Sequence, residues 1–370
     1  MSGLSFKNIS KKFDDDAGFN GFSLEIDAGE FVALVGKNGC GKAELIRMAE
    51  GYGGRFRGDV LIDGRRVTRE SRGHHMASLV TDVPLIGTPR MEMSRVLRRK
   101  GVDKAEAAKR IEEAADVAGI ADKLDVRYSK LDDEMRLRAG LARAYAAKAK
   151  IALMIDPLAG VESRMAARMR LAVMEFRAKT NKTFVMSTNS PFSALALATR
   201  VVMMDGGKVI QSDITQNIYD FPVDRYVAEY FGARVINMLP ATLERAGEEV
   251  HAVIGDVRIL VPGGKIAKLV DQQYIGKRVL IGVRPENIRY EQAFVSLSPD
   301  SAFEATVRHI ELMGAETYLH IEIEGVKEHV VARVDPRCIA KVGGSIMLAI
   351  DSNRLHMFDI DTGKSILSKL

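Results

Sequence analysis

The sequence is poor in cysteine, with only Cys40 and Cys338 among its 370 residues. Two thiols so far apart supply neither a disulfide framework nor a metal-ligand spacing, and they suit a reducing compartment. Long hydrophobic runs are missing too. The longest, such as Ile151 to Ile155, are far too short to cross a bilayer. No charged-then-apolar leader ending in small residues opens the chain, so a cytoplasmic location is expected. Nor is there a block of one charge sign: 54 basic and 49 acidic residues are spread along the chain and leave a net charge of +5. Without a basic cluster or interleaved aromatics, nucleic acid is not an expected partner. The mild positive balance is that of a solvated exterior, which could also help docking at an anionic membrane surface.

What the chain does have is an ordinary globular composition, 46% hydrophobic and 28% charged. Its length suits two domains, each able to bury a core. The first two-thirds alternates short β-branched runs with helical stretches. Phe31 to Val35, Val60 to Ile62, Ile151 to Ile155, Thr183 to Thr188 and Val201 to Asp205 read as strands, each followed by a loop or helix. That alternation predicts an α/β layer of buried, largely parallel strands. Met91 to Ala149 reads as mostly helix, with apolar spacing in Ala105 to Ala118 and Met135 to Ala147, an all-helical insertion of about 88–149. After about Asn237 the texture changes to short strands with turn residues between them: Val257 to Val261, Arg278 to Val283, Ala305 to Leu312, Thr317 to Ile323, Val330 to Val334 and Ser345 to Ile350. This spacing predicts a small all-β barrel or sandwich. Domains of 1–236 and 237–370 are expected, joined in the stretch from Tyr230 to Pro240.

The sharpest local signal is Phe31-Val-Ala-Leu-Val-Gly-Lys-Asn-Gly-Cys-Gly-Lys-Ala-Glu-Leu-Ile, an apolar strand entering a glycine loop and then a helix. The phosphate-loop pattern asks for Gly, four residues, Gly-Lys, then Ser or Thr. Gly36, Gly41 and Lys42 satisfy it, with Gly39 between them. Glycines let the backbone turn its N–H groups inward, and the start of the following helix favours anions. Lys42 would reach the β and γ phosphates. Position 43, where a hydroxyl would bind Mg²⁺, is Ala43. A bare glycine turn between strand and helix would use the same residues.

Other segments carry a resemblance. Lys12-Phe13, Phe22-Ser-Leu-Glu-Ile and Gly29-Glu30-Phe31 lie near the start. Gly282-Val-Arg-Pro-Glu-Asn, Met313-Gly-Ala-Glu-Thr-Tyr and Arg354-Leu-His-Met-Phe-Asp-Ile-Asp-Thr-Gly lie near the end. With the glycine loop, these resemble the ATPase subunits of ATP-binding-cassette importers of the maltose and glycerol-3-phosphate type. The resemblance runs nearly end to end. It implies a phosphate-loop ATPase domain, a mixed sheet plus a helical subdomain, followed by a small all-β oligonucleotide-binding-like (TOBE) domain. It implies ATP as cofactor, with Phe13 stacked on adenine. Gly36, Lys37, Asn38, Gly39, Cys40, Gly41, Lys42, Ala43 and Glu44 would surround the phosphates, and Thr81 would stand at the glutamine-loop position. The partners implied are permease transmembrane subunits, a second ATPase subunit and, through them, a solute-binding protein. The location implied is peripheral, on the inner face of the membrane. In such importers the C-terminal extension sits beside its twin and carries regulation, so Arg354 and His356 are expected to be structural.

The same alignment shows where this chain departs from the family. Counting back from Ala142-Arg143-Ala144, the signature segment Leu-Ser-Gly-Gly-Gln is replaced by Leu131, Asp132, Asp133, Glu134 and Met135. Three acids at a helix start suit the helix but oppose a phosphate, and one like-charge contact at ~4 Å costs about 4 kcal/mol at an effective dielectric near 20. Counting forward, Ile155 stands at the Mg²⁺-holding aspartate, and Asp156 replaces the glutamate that polarises water, one methylene short. Thr81 replaces the glutamine, and Asn189 the switch histidine, which cannot then titrate near neutral pH. Ala43, Thr81 and Ile155 remove three magnesium-related groups together, while the glycines and Lys42 stay. ATP binding that does not depend on Mg²⁺, with weak or absent hydrolysis, is the expectation. A regulator outside transport that kept the fold as an interaction module is the alternative.

Overall fold

The computed structural model describes residues 2–13, 18–68, 76–78, 86–232 and 234–367. The chain forms two compact units, Met1–Thr215 and Gln216–Leu370. The boundary expected at 236 and 237 thus falls inside the second unit. Backbone pairing explains this: the Arg225 N–H donates to Gly363 O at 2.8 Å, and Asp224 bridges to Lys364.

In the first unit the elements run β1 (Ser2–Lys12), β2 (Gly18–Asp27), β3 (Phe31–Val35), α1 (Lys42–Ala49), β4 (Arg57–Ile62), β5 (Arg65–Arg66), β6 (Met76–Ser78), α2 (Pro89–Arg99), α3 (Lys104–Ala118), α4 (Asp133–Ala146), β7 (Ile151–Ile155), α5 (Ser163–Thr180), β8 (Thr183–Thr188), α6 (Pro191–Leu197), β9 (Arg200–Asp205) and β10 (Lys208–Ile214). Six strands make one sheet in the order β10-β9-β3-β8-β7-β6, parallel except for β10. Its middle strands β3 and β8 are buried throughout because both faces are covered. Leu45, Ile46 and Met48 of α1 share a core with Val32, Leu34, Leu153 and Val185 on one face. On the other, Phe184 stacks on Phe31 at 5.1 Å and meets Phe176 of α5 edge-on at 6.3 Å.

Val60 to Ile62 does not join that parallel layer. It belongs to β4, in a separate antiparallel sheet of order β2-β1-β4-β5. A short apolar run reports burial, not the direction of its neighbour. The three helices α2 to α4 each open on a side-chain cap: Thr88 accepts from Met91 N, Asp103 from Ala105 N and Glu106 N, and Asp132 from Met135 N.

The second unit contains two five-stranded antiparallel sheets over one core. After the helices α7 (Thr215–Asp220) and α8 (Arg225–Tyr230) come β11 (Asn237–Ala246), β12 (Glu249–Ile254), β13 (Val257–Leu260), α9 (Gly263–Asp271), β14 (Arg278–Val283), β15 (Ile288–Arg289), α10 (Gln292–Leu297), β16 (Ala302–Leu312), β17 (Thr317–Glu322), β18 (Val330–Val334), β19 (Ser345–Ile350) and β20 (His356–Asp359). The sheet orders are β13-β12-β11-β14-β20 and β15-β19-β16-β17-β18. Leu243, Val250, Val279, Val307, Leu319 and Met357 from both sheets share the core. Strand β11, which contains Pro240, is not among the strands expected from the sequence. A proline removes one ladder donor, and β12 pairs with β11 only from Thr242 onward, beyond it.

His356 in β20 is held down to about 3, first by burial and then by the positive charges of Arg284 and Lys265. Its unfolded value is near 6.5, so the unfolded chain binds the extra proton throughout the window from 6.5 down to about 3. Stability is unaffected above that window and falls as the pH drops through it, by up to ~1.4 kcal/mol per pH unit from this group. His356→Asn is expected to flatten the loss of stability between pH 6.5 and 4 in urea denaturation. An unchanged pH profile would show that His356 does not contribute to it.

Candidate functional site

The carboxyl end of β3 turns into the glycine loop through backbone that only glycine fits. Gly36 has φ +144°, and a Cβ there would lie 2.1 Å from the Met204 carbonyl oxygen of β9. Gly41, with φ +101°, opens α1, and a Cβ there would meet the Phe19 ring at 2.5 Å and the Phe13 ring at 3.1 Å. Phe13, half-buried, packs edge-on against Phe19 at 5.0 Å, so the ring expected to receive a base stands beside the first turn of α1.

Lys42 is 6% exposed, and its Nζ donates to Gly36 O at 2.7 Å and Lys37 O at 2.8 Å, with Cys40 Sγ at 3.6 Å. The ammonium therefore sits inside the curl of the loop, holding it shut on itself. Lys37, Asn38 and Gly39 are exposed at the rim, and Cys40 is buried. Glu44 turns away to an ion pair with Lys11, whose ammonium also donates to Gly53 O. Lys11 was not singled out in the sequence, since 33 residues separate the partners.

These residues fit a phosphate. Two Cβ-free turns, a buried ammonium and the positive end of α1 converge there. They do not fit Mg²⁺, a cation that demands octahedral oxygen ligands. Ala43 offers a methyl in the first turn of α1. Ile155, at the end of β7, packs its alkyl chain against the core shared with α1. Neither carries an oxygen donor on its side chain.

The ends of β7 and β8 meet at the rim of the loop. Asp156 N donates to Ser187 O at 3.0 Å, and the Asp156 carboxylate accepts from Asn189 N at 3.2 Å. Asn189 Nδ2 in turn donates to Asn38 Oδ1 at 2.8 Å. The structure thus brings Asp156, Asn189 and the phosphate loop together across 151 residues of sequence. Thr81 lies outside the described residues.

Of the three acids at the start of α4, only Glu134 is buried. Asp132 is the helix cap, accepting from Met135 N at 2.8 Å. Glu134 is 5% exposed, pairing with Arg138 at 2.9 Å and Arg168 at 2.5 Å. Arg138 also reaches Glu175 at 3.0 Å. Of the three acids, Glu134 is thus taken up by two arginines, while Asp132 and Asp133 are both exposed, the first capping its own helix and the second 3.5 Å from Arg136. Leu131 is buried and Met135 half-buried. The serine and glycine groups of the usual signature have no substitute here.

A parallel sheet with a glycine cradle between its central strand and the first helix, flanked by an antiparallel sheet and helices, defines the ATP-binding-cassette class. The profile of the ABC transporter family matches residues 19–159, the MalK OB fold domain 235–288 and the TOBE domain 281–358. The chain is 30% identical to the oligosaccharides import ATP-binding protein MsmX of Bacillus subtilis strain 168, over 98% of this chain and 99% of that one. It is 30% identical to the sn-glycerol-3-phosphate import ATP-binding protein UgpC 1 of Rhizobium johnstonii, over 99% and 96%. With the maltose/maltodextrin import ATP-binding protein MalK of Yersinia pestis it shares 27% over 98% and 96%. The fold of its first part is like that of cbiO1 from Clostridium perfringens, at a TM-score of 0.53 and 19% identity, covering 59% of this chain and 90% of the other. The chain belongs to the family of ATP-binding subunits of ABC importers. Among the described residues, no helix is long and apolar enough to cross a membrane.

Proposed function

We propose that this chain is the ATP-binding, weakly or non-hydrolysing subunit of an importer for carbohydrates, polyols or their phosphates. It sits peripherally on the inner face of the membrane, against permease transmembrane subunits, and pairs with a second ATPase subunit that carries the missing chemistry. A solute-binding protein delivers cargo to the same permease. The names of the relatives support the solute class. One observation carries the rest: the cradle around Lys42 is whole, while Ala43 and Ile155 put hydrocarbon where a metal would need oxygen.

In a head-to-tail pair each nucleotide lies between one subunit's phosphate loop and the other's signature segment. Two copies of this chain would make two deficient sites. An intact paralogue would at least contribute a complete phosphate loop, facing Asp133 of this chain, so co-purification of a second ATPase subunit is the composition that follows.

Nucleotide binding tests the reading directly. Titration calorimetry is expected to give a Kd for ATP in EDTA within about twofold of that in Mg²⁺, since neither Ala43 nor Ile155 offers the metal an oxygen. Lys42→Ala is expected to weaken binding about ten- to a hundredfold, the worth of a charge-assisted hydrogen bond. Binding that required Mg²⁺ would defeat the proposal.

A further inference from the structure

β8 carries a hydroxyl that no hydrogen bond accounts for. Ser187 is 1% exposed, and among the described residues its Oγ has no hydrogen-bond partner. Buried polar groups are almost always paired, so an orphan calls for a physical reason. Its neighbours are committed: the Ser187 carbonyl accepts from Asp156 N, and Thr188 Oγ1 accepts from Ser190 N at 3.0 Å. Only the Ser187 hydroxyl is left over.

Its direction follows from the strand. Side chains two residues apart share a face, and Val185 packs in the core with Leu45, Ile46 and Met48 of α1. Ser187 is on that face, one step nearer the carboxyl end of the sheet, where the glycine loop and the first turn of α1 stand. In register beside it are Leu34 of β3 and Ile155 of β7, both hydrocarbon. The position that lost a metal carboxylate at Ile155 therefore has an unused hydroxyl in the adjacent strand, on the α1 side.

We propose that Ser187 is a nucleotide-binding residue, its Oγ–H donating to a terminal-phosphate oxygen of bound ATP. It supplies from β8 the hydroxyl that Ala43 does not supply from α1. Lys42, folded back on the carbonyls of Gly36 and Lys37, turns to the same phosphate when the loop opens. The inference rests on the nucleotide-binding reading above and adds a residue to it.

Ser187→Ala, and Ser187→Cys as a near-isosteric poor donor, would be titrated with ATP and ADP in EDTA, alongside thermal melting of the free proteins. Both variants are expected to weaken ATP about five- to tenfold, the worth of one hydrogen bond, and to leave ADP within about twofold. Melting temperatures of the free variants should match or exceed that of the parent, because the orphan hydroxyl is gone. ATP affinities within twofold of the parent would overturn the role of Ser187 alone. A parent chain that binds no ATP would overturn the nucleotide-binding reading and this assignment with it.

Discussion

The purified chain is expected to hydrolyse Mg-ATP at least ~10³-fold more slowly than an intact relative assayed beside it. Phosphoryl transfer leaves little covalent work for a protein to do, so its rate rests on positioning and on charge stabilisation, with metal ions neutralising the charge that develops. That metal term is worth several kcal/mol, and each ~1.4 kcal/mol is tenfold in rate. Here Ala43 and Ile155 offer no oxygen to the ion. Asp156 is the remaining carboxylate, but it accepts from Asn189 N at the turn, and it is a methylene shorter than the residue that aims water in the family. Asn189 is tied to Asn38 and has no proton to trade near neutral pH. The losses act on one transition state and are not simply additive, so ~10³ is a floor. Phosphate release measured with the Lys42→Ala variant as blank decides it, and turnover at the rate of an intact relative would sink the whole reading. Ala43→Thr with Ile155→Asp should restore Mg²⁺-dependent ATP binding before it restores turnover, because Asp156 and Asn189 remain as they are.

The legible parts of this protein were those decided locally. Strands β3 and β7 show in the sequence because strands covered on both faces are hydrophobic at nearly every position, and β8 because Phe184, Val185 and Met186 form an apolar centre between β-branched threonines. The glycine loop shows because Gly36 and Gly41 occupy backbone that a Cβ would not allow. What stayed hidden depends on distant chain. Val60 to Ile62 carries no mark that its partner is antiparallel β1. The acids Asp132 and Glu134 look like a negative end from sequence, but Arg168 and Arg138 turn Glu134 into an internal ion-pair network. Ser187 reads as one of three small hydroxyl residues in β8, and the packed structure shows its hydroxyl without a hydrogen-bond partner among the described residues.

Replacing Arg284 by alanine is expected to destabilise the second unit by about 2–5 kcal/mol, the cost of leaving two buried carbonyl oxygens without a donor and opening a cavity. Arg284 lies in the Gly282-Val-Arg-Pro-Glu-Asn segment and is 1% exposed. Burial lowers its pKa, and it is held by Tyr219 O at 2.9 Å, by Phe231 O, and by the Tyr219 ring face 3.6 Å from its guanidinium carbon. Tyr219 in turn donates to Glu286, so removing the guanidinium empties a cation site while leaving two carbonyl oxygens short of a donor. Arg284→Met, which keeps most of the volume, should cost less than Arg284→Ala, separating the packing loss from the polar loss. The substitution also acts on His356, whose proton affinity is lowered in part by the Arg284 charge. In either variant the His356 pKa should rise from about 3 toward 6.5, so the loss of stability in acid should level off at a higher pH than in the parent and be smaller in total. An equal loss of stability between pH 7 and pH 3, measured by urea denaturation, would mean that burial alone keeps His356 neutral.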